Sequence, residues 1–341
     1  MQTLGRFFAA LCAISFIISG VLVLLLFNIE RKAFSSETYK QAFENQGLYQ
    51  RMPAILGTAL TTFVTENQNV LPFLKVVTVQ DWQNIISTAL PPEELKAVAD
   101  NALDSTFDYL NGKTNSATIS LLPLKAHLAG ESGVNIVIQI LSLQPACTPE
   151  QLTQMALGIL GGQITLCNPP AEAIGLMTPF IQSQLQTMIT LFPNDVTFIS
   201  DARAGTPADP RLKLNTLRSV IKLSLFLPFL FLFGMTIFAV RTLTSWLNWW
   251  GWPLMLTGGS SVLIALLGSP LVGWILRLLI QNQGIFSIPP VLAASLAETA
   301  SAVAQQMLAP VLVEGFILGF VGLGMVLIAT FLPRGGRDQI I

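Results

Sequence analysis

Residues 7–27 read FFAALCAISFIISGVLVLLLF, a run of 21 residues without a charge. At 1.5 Å of rise per residue a helix of that length covers about 30 Å, the thickness of the hydrocarbon core of a bilayer. The run passes directly into Asn28, Ile29 and Glu30 without a small-residue cleavage site. Leu11 before Cys12 is a poor fit to a lipoprotein site, so the expected element is an uncleaved signal anchor.

Three further apolar runs lie toward the other end of the chain. The second, 223–240, is extended at its start by Arg218 and Lys222, whose stems can snorkel to the interface, and Pro228 is placed to kink it. The third, 253–275, is preceded by Trp246, Trp249, Trp250 and Trp252, indoles that read as an interfacial aromatic belt rather than a ligand cage. The fourth, 311–332, carries Glu314 and the GxxxG step Gly315–Gly319, for which packing within a four-helix bundle is expected and dimerisation is the alternative. Between the last two, Ile288, Leu292, Leu296, Val303 and Met307 recur at near-helical spacing after Pro289 and Pro290. An amphipathic helix is expected there, feeding into the fourth span through a break at Pro310. A chain of 341 residues that is 52% hydrophobic and 11% charged, with a mean hydropathy of +0.62, has too few ionisable groups to cover a soluble surface of that size.

The expected fold is mainly α: a four-helix transmembrane region with a large, predominantly helical soluble domain inserted between the first and second spans. Residues 1–6 form a cytoplasmic tail, 7–27 the first span, 28–217 the extracytoplasmic domain and 218–240 the second span. Residues 241–252 form a cytoplasmic Trp-rich loop, 253–275 the third span, 276–310 an extracytoplasmic loop with the amphipathic helix, 311–332 the fourth span and 333–341 a cytoplasmic tail.

Within the domain, Ser35 and Ser36 offer caps for a helix bearing Tyr39 and Phe43, and Thr78 with Asp81 has the spacing of a capping box. Pro92, Glu93 and Glu94 open the clearest helix, its apolar face running from Leu95 through Val98, Leu103 and Phe107 to Leu110 and its stop at Asn111–Gly112. Further helices are expected at 133–143, 149–158 and 171–191, and short strands at 118–122 and 196–199 that are able to pair. The stretch 201–210 reads as a linker.

The search for chemistry is mostly negative. The chain contains no GxGxxG before a helix, no GxxxxGK[ST], no GxSxG, no HExxH and no CxxC. No cofactor, metal or catalytic residue is assigned, and without a stripe of basic and aromatic residues no nucleic-acid partner is expected. His127 is the sole histidine and is read as structural or solvent-exposed. Asp100, Asp104 and Asp108 recur at four-residue spacing along one helical flank, which makes them an acidic patch for a cation if a loop adds oxygens, and otherwise a solvated face. Glu314, an acid at a span, is the leading candidate for an intramembrane or interfacial charge, with Arg277 as its expected partner. Cys147 and Cys167 are expected to form a disulfide.

The leading functional expectation is a non-enzymatic binding or scaffolding module of the cell envelope, partnered by the bilayer and by an envelope protein or a second copy of the chain. The order of one span, a large domain and three spans resembles the cell-division and macrolide-export type permeases, which pair with separate cytoplasmic ATPases. That topology implies a permease-like subunit as the alternative, and a membrane-bound hydrolase or transferase built around His127 is the third reading. The cysteine pair and a domain with 16 acidic and 11 basic residues point to an extracytoplasmic domain in a multi-pass membrane protein. Arg31, Lys32, Arg211, Lys213, Arg218, Lys222 and Arg277 flank the spans on the domain side against Arg6, Arg241, Arg334 and Arg337 on the other, which opposes that orientation.

Overall fold

In a computed structural model, residues 2–66, 74, 76–153, 167–200, 209–282 and 290–332 are described. The elements follow in the order α1 (Gln2–Ala33), α2 (Ser36–Asn45), α3 (Leu48–Glu66), α4 (Val79–Ala89), α5 (Pro92–Leu110), β1 (Ala117–Ser120), α6 (Leu122–Ala129) and α7 (Glu131–Ser142). After them come α8 (Ala171–Leu191), β2 (Asp195–Ile199), α9 (Pro210–Ser224), α10 (Phe226–Ala239), α11 (Leu243–Asn282) and α12 (Pro290–Phe331). The protein is thus mostly helical, with four long apolar helical segments flanking a large helical domain that holds a small open sheet of two strands. It divides into two compact units, Met1–Ala42 with Gly205–Leu279 and Ala297–Ile341, and Phe43–Ala204 with Ile280–Leu296.

Four segments are long and apolar enough to cross a membrane, Leu4–Ala33, Arg211–Ala239, Leu243–Leu279 and Ala293–Phe331, and all but the first four residues of the last fall in the first unit. Their exposed faces carry side chains such as Phe229, Phe233, Leu263, Trp274, Phe320 and Phe331, a surface suited to lipid rather than water. α1 and α10 pack antiparallel, with Phe8 beside Phe238, Cys12 against Gly234 and Phe16 in one buried cluster with Leu232 and Met235.

α11 and α12 form a long antiparallel pair. Gly251 lies against Gly322 and Val326, Gly258 against Gly315 and Gly319, Gly268 against Leu308, and Gly273 against Ser301. The GxxxG step Gly315–Gly319 therefore packs within the chain, its two glycines receiving the backbone of α11 at Gly258.

Three boundaries differ from the sequence reading. α11 starts at Leu243, so all four tryptophans belong to the helix and not to a preceding loop. Thr242 caps it by accepting from the Ser245 N–H at 3.2 Å, and Trp250 donates from Nε1 to Thr236 Oγ1 at 3.1 Å, which ties that first stretch to α10. Pro310 lies inside α12 without ending it, and the expected amphipathic segment is the N-terminal part of that continuous helix. Contacts on both sides of the proline, Leu308 on Gly268 and Gly315 on Ser261, hold the helix on α11 through the position where an N–H is missing. The third difference is that α9 and α10 are separate helices meeting at Leu225. Pro228 accounts for this, because its ring and absent N–H act on the carbonyl four residues back, that of Ser224.

The second unit is built as its local signals require. Thr78 and Asp81 make the reciprocal capping box at the start of α4, with Asp81 N–H donating to Thr78 Oγ1 and Thr78 N–H to Asp81 Oδ2. α5 ends at Asn111, and Gly112 follows in the left-handed region at φ 74°. Its most buried aromatics are Phe107 and Tyr109, the second lying off the expected face. β1 and β2 pair antiparallel, Thr118 opposite Thr197 and Ser120 opposite Asp195. β1 is also held by α5, where Ser105 Oγ accepts from Thr118 N–H at 2.7 Å and Asn101 Oδ1 from Ser120 N–H at 3.1 Å. Residues 149–153 are helical, and the rest of the helix expected to 158 and most of the linker at 201–210 fall outside the described residues.

The α11–α12 contact sets up a paired test. A methyl group at Gly258 would run into the backbone of Gly315 and Gly319, whereas one at Gly259, next in sequence, would meet open space. Gly258→Ala should cost about 1–3 kcal/mol, an overpacking penalty, while Gly259→Ala should gain about 0.5–1 kcal/mol from the lower entropy of the unfolded chain. Thermal unfolding of the two variants in detergent micelles measures both, and equal shifts would refute the register of this pair.

Candidate functional site

Glu314 sits on α12 one residue before Gly315, which packs against Ser261 and Val262 of α11. Its Oε2 accepts a hydrogen bond of 2.7 Å from Asn28 Nδ2 on α1. Asn28 is 1% exposed, and its amide also donates to the Leu24 carbonyl at 2.9 Å, so both of its N–H groups are used. An acid among apolar spans is tolerated when a buried donor meets it, and Asn28 is that donor. Sequence reading missed Asn28, although a lone amide bordering a charge-free run was the available signal.

Arg277, the expected partner, is exposed and not within ion-pairing distance of Glu314. The reason is length: Arg277 lies sixteen residues beyond Ser261 on an unbroken α11, about 24 Å along its axis. The two residues belong to different levels of the pair. The ion pair found near α1's C-terminal end is instead Arg218 with Glu30, Nε to Oε1 at 3.5 Å, with the guanidinium 3.9 Å from the centre of the Phe34 ring. On α11, the hydroxyls of Thr257 and Ser261 are buried and have no hydrogen-bond partner among the described residues.

In the second unit, Cys147 and Cys167 form a disulfide with their Cα atoms 4.9 Å apart. Backbone bonds hold the same junction, from Cys147 N–H to the Asn168 carbonyl at 3.0 Å and from Asn168 N–H to the Pro145 carbonyl at 2.8 Å. Cys167 is 2% exposed and Cys147 is half-buried, so the bridge is covered on the Cys167 side.

The three aspartates of α5 have separate surroundings. Asp100 faces Tyr49, whose hydroxyl lies 3.4 Å from Oδ1. Asp108 accepts from Lys113 at 2.8 Å, and that bond, with Asp104 adding its charge, raises the Lys113 pKa. Among the described residues no three His, Cys, Asp or Glu side chains gather as a group able to hold a metal ion. The His127 ring on α6 meets the Thr88 carbonyl of α4 through Nε2 at 2.9 Å, and Lys125 reaches the Phe192 carbonyl and Asn194 Oδ1, both at 2.7 Å. These contacts fasten α6 to its neighbours.

Tyr49 also went unnoticed in the sequence. Burial first, then the charge and hydrogen bond of Asp100 and the charge of Glu44, push its phenol up to about 12 from the usual 10.0. The fold therefore keeps a proton that the unfolded chain releases. This contribution to stability is complete below pH 10 and is lost as pH rises through about 12. Tyr49→Phe should flatten the alkaline limb of a stability–pH profile, and phenolate absorbance should lose a late-ionising tyrosine in that variant while Tyr39, whose pKa burial also raises, still ionises late.

The Asn28–Glu314 link is tested by a double-mutant cycle. Glu314→Ala should lower stability by about 1.5–3 kcal/mol, the worth of a hydrogen bond to a charged group, and Glu314→Gln, which keeps an acceptor, by about 1 kcal/mol or less. Additivity with Asn28→Ala in detergent melting would show that the link carries no energy. Compared with known protein families, curated proteins and solved structures, the chain matches none, so its functional reading rests on the geometry above.

Proposed function

We propose that this protein is a non-enzymatic binding or scaffolding module of the cell envelope, in which a transmembrane helical bundle presents the helical domain on the extracytoplasmic side. The observation that carries this reading is the disulfide Cys147–Cys167 in a chain with four segments able to cross a membrane. Structural disulfides persist in oxidising compartments, and closing a loop of this size stabilises a domain by roughly 3 kcal/mol in the chain-entropy account. The roles of the domain's candidate groups support binding over catalysis: His127 and Lys125 bond to carbonyls of neighbouring elements, and Asp108 pairs with Lys113.

The basic residues flanking the spans on the domain side argue for the opposite orientation. Two of the seven have acidic neighbours, Arg218 with Glu30 and Arg211 with Asp209 at 2.8 Å. Domains as long as this one also translocate largely regardless of their charge.

A reporter active only outside the cytoplasm, fused after residue 130, should be active. A membrane-impermeant maleimide should label the domain cysteines on intact cells only after reduction. An inactive reporter, with cysteines that need lysis but no reductant, would place the domain in the cytoplasm and remove this reading. Crosslinking in native membranes should then capture the domain on an envelope protein or a second copy of the chain.

A further inference from the structure

At the N-terminal end of α1, where α10 ends and α11 begins, the first unit holds a polar cavity of about 280 Å³. Arg6 and Arg241 line it with Thr242, Ser245 and Trp249. Thr242 Oγ1 already takes the Ser245 N–H, the N–H groups of Leu243 and Thr244 before it have no acceptor within the helix, and the positive end of the α11 dipole lies at this cavity. Both arginines are exposed, and among the described residues neither pairs with a carboxylate. Two guanidinium groups and a helix N-terminus are the donor set that recognises a phosphate.

Trp249 also lines a second cleft, of about 290 Å³, together with Ala13, Ile17, Trp252, Pro253 and Leu256. That lining is apolar apart from Asn248. From Arg6 to Ile17, and from Ser245 to Leu256, the chain advances eleven helical residues, about 16 Å. A cationic site at the end of the spans thus adjoins an apolar cleft that runs along them, with one indole common to both.

We infer that the two cavities form a single site for a glycerophospholipid, its phosphate held by Arg6, Arg241 and the start of α11 and an acyl chain lying in the cleft beyond Trp249. Free inorganic phosphate shares the first half of this chemistry but leaves the apolar cleft unused, and this favours the lipid.

The test uses the full chain in a non-ionic detergent, stripped of lipid and titrated with phosphatidylglycerol, with bound lipid read by native mass spectrometry. The wild type should retain a single lipid, and the double variant Arg6→Gln/Arg241→Gln should bind it about tenfold or more weakly, as expected for loss of charge-assisted bonds. Leu256→Trp fills the cleft from a position that is 48% exposed, and it should weaken retention comparably while leaving the melting temperature of the lipid-free protein unchanged. If the arginine variant does not fold, Leu256→Trp decides alone. Unchanged retention in the folded variants would overturn the site. Inorganic phosphate binding as tightly as phosphatidylglycerol would overturn the lipid assignment.

Discussion

Helices surrounded by lipid gain little from hiding apolar surface against one another, because a lipid tail is as apolar as leucine. What holds them together is how closely their backbones approach, and in this protein that approach is set by glycine. Gly251 and Gly258 of α11 meet Gly322, Gly319 and Gly315 of α12, so two helices of 40 and 42 residues touch along much of their length. Dispersion contacts summed along such a line are the main attraction available. The rest of the bundle builds on this pair. Leu25 of α1 packs on the cluster of Ala265, Leu308 and Val311, which exists only where α11 and α12 are in register, and Gly20 lies against Thr257.

Polar groups inside the bundle then add direction to an otherwise nonspecific attraction. Asn28 joins α1 to Glu314 of α12, and Glu30 joins α1 to Arg218 of α9. Both lie within three residues of each other on α1, just past its charge-free run, so the apolar stretch is free to slide only until these donors and acceptors meet. A buried amide left without its acceptor costs its full desolvation, which makes the alternative registers expensive. Thr257 and Ser261 are hydroxyls buried at the glycine contacts without hydrogen-bond partners among the described residues. Their small size is what the packing requires at those positions, since Ser261 faces Gly315 and Thr257 faces Gly20.

The elements most legible in the sequence were those fixed by local chemistry. Thr78 and Asp81 cap a helix through atoms three residues apart, Gly112 supplies a positive φ, and the charge-free runs announce apolar helices. Boundaries set by tertiary contact were not legible. The tryptophan segment becomes helical where Trp250 finds Thr236, and Pro310 stays inside a helix because α11 supports both of its flanks. The site suffered most, since the partner of Glu314 is 286 positions away along the chain. Topology placed Arg277 near Glu314 only on the assumption that spans end where apolar runs end. Once α11 and α12 continue well past those ends, equivalent positions in the run are no longer neighbours in space.

The distribution of positive charge follows from the same geometry. Near α1's C-terminal end, Arg218 is drawn onto Glu30 and Phe34, and Arg211 is clasped by the Asp209 that caps α9, each with its side chain largely covered. These arginines belong to the fold. At α1's other end Arg6 and Arg241 are exposed beside a helix N-terminus, with no described carboxylate to meet them. A cation held in a buried pair is already neutralised, whereas one left in a polar cavity keeps its attraction for an anion. Counting lysines and arginines treats the two ends alike and even favours the first. Geometry separates them, and leaves the end bearing Arg6 and Arg241 as the one where two cations without a partner among the described carboxylates, a helix dipole and an indole converge on a single cavity.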